Sequence, residues 1–317
     1  MIPLQISPFQ YVANGVVFSS IIVLAAIGLS LVYSIADFAN FAHGDLMTVG
    51  AFSALFSVGF FRPMLGDAGV FGLPLWFFLA LAFGMGAAAV IAVLTNRVVY
   101  RPVKDSGSIG LLISSIGVAL VYRALVFLSF GTEPERYGVS RQGPIPWVRE
   151  TLGIAVTPRN LVVVALTVVL VTALHLTLTR TTLGRKMRAT ADNADLARVS
   201  GIRTGEVIFA MWLIGGALAA AGGVFLGLEE LVRPRMGFDI LLIVFAAVIL
   251  GGIGSVYGAM LGGLVIGMVH ELVPLFNLWA KQWGVPMVGS RYAAAVAFVI
   301  MVAILLVRPS GIAGESG

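Results

Sequence analysis

"ILLIVFAAVILGGIGSVYGAMLGGLVIGMVHEL", residues 240–272, decides how the chain is built. Residues 240–270 contain no Asp, Glu, Lys or Arg, and apolar sequence runs on to about 280. A helix crossing the hydrocarbon core needs about 20 residues, so this stretch is too long for one crossing. The glycine-rich "GGIGSVYG" (251–258) divides it into two. Backbone amides and carbonyls freed by such a break are tolerated in a membrane only when buried in protein or lining a cavity. The break is therefore either a tight turn or a pair of half-helix ends aimed at a transported solute. Gly254 and Ser255 are its candidate path residues.

The same pattern extends outward. Residues 1–36, 46–61, 73–96, 106–122, 160–179, 207–228 and 292–307 are also free of charge. Over the whole chain 59% of residues are hydrophobic, 11% are charged, and the mean hydropathy is +1.01. A soluble domain carries about 25% charged residues, so too few exist here to cover a water-facing surface. Barrel strands would be about ten residues with alternating polarity, and "LVVVALTVVLVTALHLTL" (161–178) does not alternate. The expected fold is all-α: a polytopic transmembrane helical bundle of about 8–10 membrane segments, with broken or re-entrant helices. Spans are expected near 12–35, 40–60, 73–97, 107–130, 159–180 and 205–228, then two from 240–280 and a last near 290–308. No second domain or linker interrupts residues 1–317, so they form one membrane domain. The first 36 residues lack a basic n-region and look like an uncleaved first span.

The chain has no cysteine, which excludes disulfides, thiolate metal sites and cysteine nucleophiles. His43, His175 and His270 are too scattered for a metal-ligand pattern. The net charge of +5 is spread over several loops. Positive cytoplasmic loops explain it without invoking nucleic acid. Counting Lys and Arg by side does not orient the chain, but "RTTLGRKMR" (180–188) packs four positives directly after a span. That density places the loop at about 181–204 inside and the N-terminus outside. Small residues recur every fourth position at Gly215, Ala219, Gly223 and Gly227, and again at Gly254, Gly258 and Gly262, with Gly263 and Gly267 alongside. Such strips let neighbouring helices approach closely.

Within the inner loop, "DNADLARVSGI" (192–202) predicts a short helix from Asn193 to Ser200. Asp192 is its expected cap, Asp195 the partner in a capping-box-like pair, and Gly201 its left-handed stop. A helix this short is marginal alone, so it must rest on something. Leu196 and Val199 share one face; Asp192, Asp195 and Arg198 share the other. It either lies on its own membrane domain or docks a cytoplasmic partner. Elsewhere, Asn40, His43 and Asp45 set three polar groups within six residues at the mouth of a span. They form a helix cap with interhelix hydrogen bonds, or they line a substrate path or its gate. Glu271 ends the long apolar run and is either solvated near the outer surface or part of a path. Arg123 is about seven residues from the outer end of its span, near enough to snorkel, and reads as structural.

Two stretches carry a family resemblance. "DLARVSG" (195–201) resembles the E-A-A-x-x-x-G loop motif of ABC importer permeases, with Asp195, Ala197 and Gly201 matching. It departs at Leu196, and "MWLI" (211–214) lacks the proline of the motif's downstream I-x-L-P. "VYSIADFANFAHGDLMTVGAF" (32–52) closely resembles the first-to-second-span junction of branched-chain amino-acid ABC permeases. "GLLISSIGVAL" (110–120), "LGRKMRATADNADLARVSGI" (183–202) and residues 250–272 match further landmarks in the same order. The resemblance covers about residues 10–308; the loop at 131–158 and the tail match poorly.

The resemblance implies a permease subunit of an ATP-driven importer, with branched-chain amino acids as substrate and urea, amides or other amino acids as alternatives. It implies a second permease subunit, two cytoplasmic ABC ATPase subunits and an extracytoplasmic binding protein. ATP and Mg would be used by the ATPases, and no cofactor would be bound by this chain. No G-x-x-x-x-G-K-[ST] phosphate loop occurs. Arg188, Asp192, Asp195, Leu196, Ala197, Arg198 and Gly201 become the expected ATPase-coupling residues. A lone ion-coupled transporter would call for paired carboxylates within spans, and an intramembrane protease for two facing aspartates. Neither pattern is present.

Overall fold

The computed structural model describes residues 8–140, 142–282, 292–308 and 310–313 of the 317. In chain order the helices are α1 (Pro8–Ala36), α2 (Ala42–Leu65), α3 (Leu75–Thr95), α4 (Arg101–Val103), α5 (Gly107–Phe130), α6 (Pro146–Leu152) and α7 (Pro158–Arg180). They continue with α8 (Thr182–Asp192), α9 (Ala194–Val199), α10 (Thr204–Glu229), α11 (Met236–Gly251), α12 (Val256–Gln282) and α13 (Ala293–Val307). Among the described residues, six stretches are long and apolar enough to cross a membrane. One of them, Leu75–Phe130, holds both α3 and α5, separated by a 3-10 turn and by Gly107 at φ 77°. The apolar α11 and α13 are shorter. With these, α1, α2, α3, α5, α7, α10, α11, α12 and α13 fall on the nine expected segments; residues 290–291 of the last lie outside the described residues. Among the described residues the named strands are two residues each, β1 (Gly69–Val70) paired with β2 (Leu73–Pro74) in a hairpin at the turn between α2 and α3.

A helix that is apolar all round belongs in the interior, and α1 takes that place. Its most apolar window is 83% buried, against 28% for α7 at the rim. Helices α10 and α12 run antiparallel along it, and the small-residue strips make the approach. A Cβ added at Gly263 would meet the Val23 backbone at 3.0 Å, and one at Gly267 would meet Ser19 at 2.6 Å. At Gly223 it would lie 2.1 Å from the Met47 carbonyl on α2. These strips substitute close backbone packing for the hydrophobic drive that lipid does not provide.

Two helices begin inside the bundle rather than at its end. Asp37 turns the chain at a left-handed φ of 52°, and α2 starts after five residues, with Phe41 opposite Ser115 in the middle of α5. The loop after α10 folds inward: Val232 pairs with Glu135 through two 2.9 Å backbone bonds and rests against Gly227. As a result α11 starts against α2, so close that a Cβ at Gly237 would lie 1.8 Å from the Gly44 carbonyl oxygen. Thr48 Oγ1 accepts the Gly237 N–H at 3.0 Å, satisfying one donor of the new helix.

Candidate functional site

The start of α2 carries the polar cluster. Asn40 Oδ1 accepts the Ala42 N–H at 3.1 Å and the Tyr100 hydroxyl at 3.2 Å, and it is buried. His43 is buried beside α1, with Nε2 3.0 Å from the Ala25 carbonyl oxygen. A carbonyl can only accept, so Nε2 carries the proton, and Nδ1 has no partner among the described residues. Asp45 is 1% exposed and receives a two-pronged bond from Arg123, Nε to Oδ1 at 3.0 Å and Nη2 to Oδ2 at 2.9 Å. The fork geometry is the strong form of this contact. The Arg123 guanidinium also lies 4.2 Å over the Phe238 ring. Arg123 therefore does not snorkel: it turns inward because Asp45, buried without it, would be an uncompensated charge.

The six expected path residues do not form one site. Asn40, His43 and Asp45 sit together. Gly254 and Ser255 lie at the end of the bundle that carries α8 and α9, in the short loop between α11 and α12. There they line a cavity of about 880 Å³ with Tyr33, Ser34, Asp37 and Asp192. Glu271 is at the opposite end: it lines a cavity of about 160 Å³ with Asn14, Asn160, Glu229 and Glu230, and its carboxylate is 3.2 Å from His270 Nδ1. Gly252 and Gly254 take left-handed φ values of 107° and 84°, and the Gly258 backbone packs on Gly251, so "GGIGSVYG" forms a compact turn.

The loop of the short helix differs from its expected form. It contains two helices, α8 and α9, and the cap is Asn193 rather than Asp192, which ends α8. Asn193 Oδ1 accepts the N–H groups of Asp195 at 3.1 Å and Leu196 at 2.8 Å. Asp195 consequently does not return a capping bond; it pairs with Arg198 at 3.3 Å in the open. At the other end the Gly201 N–H meets Arg198 O at 3.1 Å and the Ile202 N–H meets Ala197 O at 3.0 Å, with Gly201 at φ 84°. That is a paired left-handed stop. Ala197 alone faces inward at 4% exposure, while Leu196 and Val199 stand 64% and 87% exposed. Arg188 is exposed but donates to the Leu178 carbonyl, tying α8 to the end of α7. Lys186 and Arg203 both reach Glu206, tying the loop to α10.

Residues 11–305 match the family model described as "Branched-chain amino acid transport system / permease component". The chain belongs to this family. The permease is 31% identical over 308 residues to the high-affinity branched-chain amino acid transport system permease protein BraD of Pseudomonas aeruginosa, covering 96% of this chain and 95% of that protein. It is 32% identical over 313 residues to the corresponding permease protein LivH of Escherichia coli K12, again covering 96% and 95%. A fructose import permease protein, FruF of Bifidobacterium longum, matches at 23% over 261 residues, 79% of this chain and 66% of that one. A solved structure, PsaBC from Streptococcus pneumoniae in complex with Fab, aligns over 95% of this chain and 93% of that one at 12% identity and a TM-score of 0.41, too distant to carry over any detail.

For this multi-pass membrane permease, sequence reasoning missed Arg123 as the partner of Asp45 and Tyr100 as the partner of Asn40. Their separations of 78 and 60 residues leave no periodic trace. One signal was available. An arginine seven residues inside an apolar span and an aspartate just inside another are opposite charges that each need a partner.

Proposed function

We propose that the chain is the membrane subunit of an ATP-driven importer of branched-chain amino acids. It works with a second permease subunit, two cytoplasmic ABC ATPases and an extracytoplasmic binding protein. One observation supports this reading beyond family membership: α9 is held rigidly by its cap, its stop and the ties of α8, yet turns Leu196 and Val199 outward. A helix positioned so firmly with its large apolar side chains uncovered suits a protein partner that covers them. On this reading the α9 end is cytoplasmic, and α9 is the knob through which the ATPase moves the membrane helices. Asp192 shares its cavity with Gly254, Ser255 and the last turn of α1, which offers a route from that knob to the start of α2. The cluster of Asn40, His43 and Asp45 would then be the gate of the path. ATP and Mg are handled by the ATPases, and this chain needs no cofactor of its own.

The deciding experiment is uptake of L-leucine by cells carrying the complete transporter, with ATP depleted and the proton gradient preserved. Uptake should collapse. Persistence would favour an ion-coupled carrier instead.

A further inference from the structure

Three cations gather around one hollow at the α9 end of the bundle. Arg101 on α4, Lys104 just after it and Arg198 on α9 line a cavity of about 450 Å³, a usual size for a small-molecule site. Among the described residues, the side chains of Arg101 and Lys104 make no ion pair or hydrogen bond. Asp105 follows Lys104, and Asp195 pairs with Arg198 at 3.3 Å, but neither acid lines the cavity. A cleft walled by one sign of charge concentrates the opposite sign. This one favours an anion.

An uncommon turn builds the basic wall. Between α3 and α4 the chain makes one π-helical turn, Asn96–Tyr100, closed by the Arg101 N–H on Asn96 O. Such turns are rare and often sit at functional sites. Here the wider turn brings Asn96 and Arg101, five residues apart, onto one wall. The floor is aromatic: Tyr100 stacks on Trp212 with centroids 5.1 Å apart and planes at 16°, and Phe38 tilts against both. Trp212 is buried, and its indole N–H has no acceptor among the described residues, a rare state for a buried donor. On α10 the lining runs from Thr204 to Trp212, eight residues or roughly 12 Å along the axis. The cations therefore come from short elements between spans, while Trp212 lies about two turns into one.

We propose that this cavity holds the headgroup of an anionic phospholipid from the inner leaflet, and that the lipid braces α9 against the membrane helices. The phosphate meets Arg101, Lys104 and Arg198, and the glycerol esters lie over the aromatic floor, where they bring the acceptor that Trp212 lacks. Basic pockets between helices on the cytoplasmic side take such headgroups. A soluble phosphate compound shares the charged contacts but leaves the apolar depth unfilled. Arg198 belongs to α9 and Arg101 follows the π turn, so one phosphate ties these elements together. The same wall reaches the start of α2, because the Tyr100 hydroxyl donates to Asn40. The site rests on the reading that the α9 end is cytoplasmic and meets the ATPase.

The chain's lack of cysteine makes the test direct. The complete complex carrying Thr204→Cys, in lipid-free detergent, is treated with an uncharged, water-soluble maleimide, and labelling of this chain is followed over time. Labelling should occur, and dioleoylphosphatidylglycerol should slow it several-fold. Dioleoylphosphatidylcholine and millimolar glycerol 3-phosphate should not. Adding Arg101→Gln with Lys104→Gln should remove the protection. Adding Arg180→Gln with Arg185→Gln, exposed cations outside the cavity, should leave it. In vesicles, ATP-driven L-leucine uptake should rise several-fold when phosphatidylglycerol joins phosphatidylcholine, and the Arg101→Gln/Lys104→Gln variant should lose that gain. No labelling, equal protection by phosphatidylcholine, protection that survives Arg101→Gln/Lys104→Gln, or its loss in the Arg180→Gln/Arg185→Gln control overturns the lipid site. Equal protection by glycerol 3-phosphate overturns it in favour of a soluble phosphate. Loss of the ATPase from the Arg101→Gln/Lys104→Gln variant in lipid-free detergent, where the wild type keeps it, assigns these cations to the ATPase and overturns it too. Uptake indifferent to phosphatidylglycerol overturns the brace. If wild-type uptake ignores ATP in both kinds of vesicle, the importer reading falls, whether or not the lipid protects.

Discussion

Asn40–Asp45 and Ala194–Val199 are both six-residue stretches with polar and apolar side chains interleaved, and they behave as opposites. In the first, Asn40, His43 and Asp45 are all buried, and each is bonded to a different part of the fold: Tyr100, Ala25 and Arg123. In the second, the polar side chains bond only within the loop, and the large apolar ones face outward. The difference shows where each stretch finds its energy. Buried polar groups must be matched by the fold itself, since an unmatched one is penalised heavily in a low-dielectric interior. Exposed apolar groups on a capped helix ask nothing of the fold.

Changes at the first region should therefore act on stability, and changes at the second on association. The largest effect belongs to Gly237→Val. Its Cβ would overlap the Gly44 carbonyl oxygen at 1.8 Å, and backbone on both sides has no room to move. Monodisperse protein should be lost on size-exclusion chromatography in detergent; normal recovery would mean that the α2–α11 contact is loose.

Next is Asp45→Ala, which strands a mostly buried Arg123. Breaking such a pair from one side destabilises by about 3–5 kcal/mol, visible as a large drop in thermal unfolding temperature. The double variant Asp45→Leu with Arg123→Met should recover most of that stability but not uptake. Recovery of both would reduce the pair to packing.

Asn193→Ala removes the acceptor for two N–H groups of α9 and should cost about 1 kcal/mol, the usual worth of a cap. Faster hydrogen exchange confined to residues 194–199 is the expected sign. The smallest stability effect is Leu196→Ser with Val199→Ser, within about 0.5 kcal/mol as for other surface changes. The same variant should lose the co-purifying ATPase. If the ATPase stays bound, the outward apolar face is not where it docks.

Much of the architecture was legible in the chain. Charge-free runs placed the nine apolar helices, "GGIGSVYG" marked the break between α11 and α12, and Gly201 marked the stop of α9. These depend on local composition and on backbone preferences that act within a few residues. Less could be read at the site. Asp192 looked like the cap because it precedes the helix, but Asn193 holds that position and the chain around it is extended, φ −160°. Glu271, Ser255 and Asp45 looked alike as polar residues near span ends, yet they occupy the two ends and the interior of the bundle.

By itself the sequence determined that this is a helical membrane protein, where its helices break, and which faces can approach closely. Solvent transfer and backbone sterics settle those matters residue by residue. Only the tertiary structure decided that α2 and α11 begin inside the bundle and that Asp45 meets Arg123 across 78 residues. Partners brought together by helix packing leave no periodic signal in either segment, because each helix is written for its own face and the match exists only once both are in place.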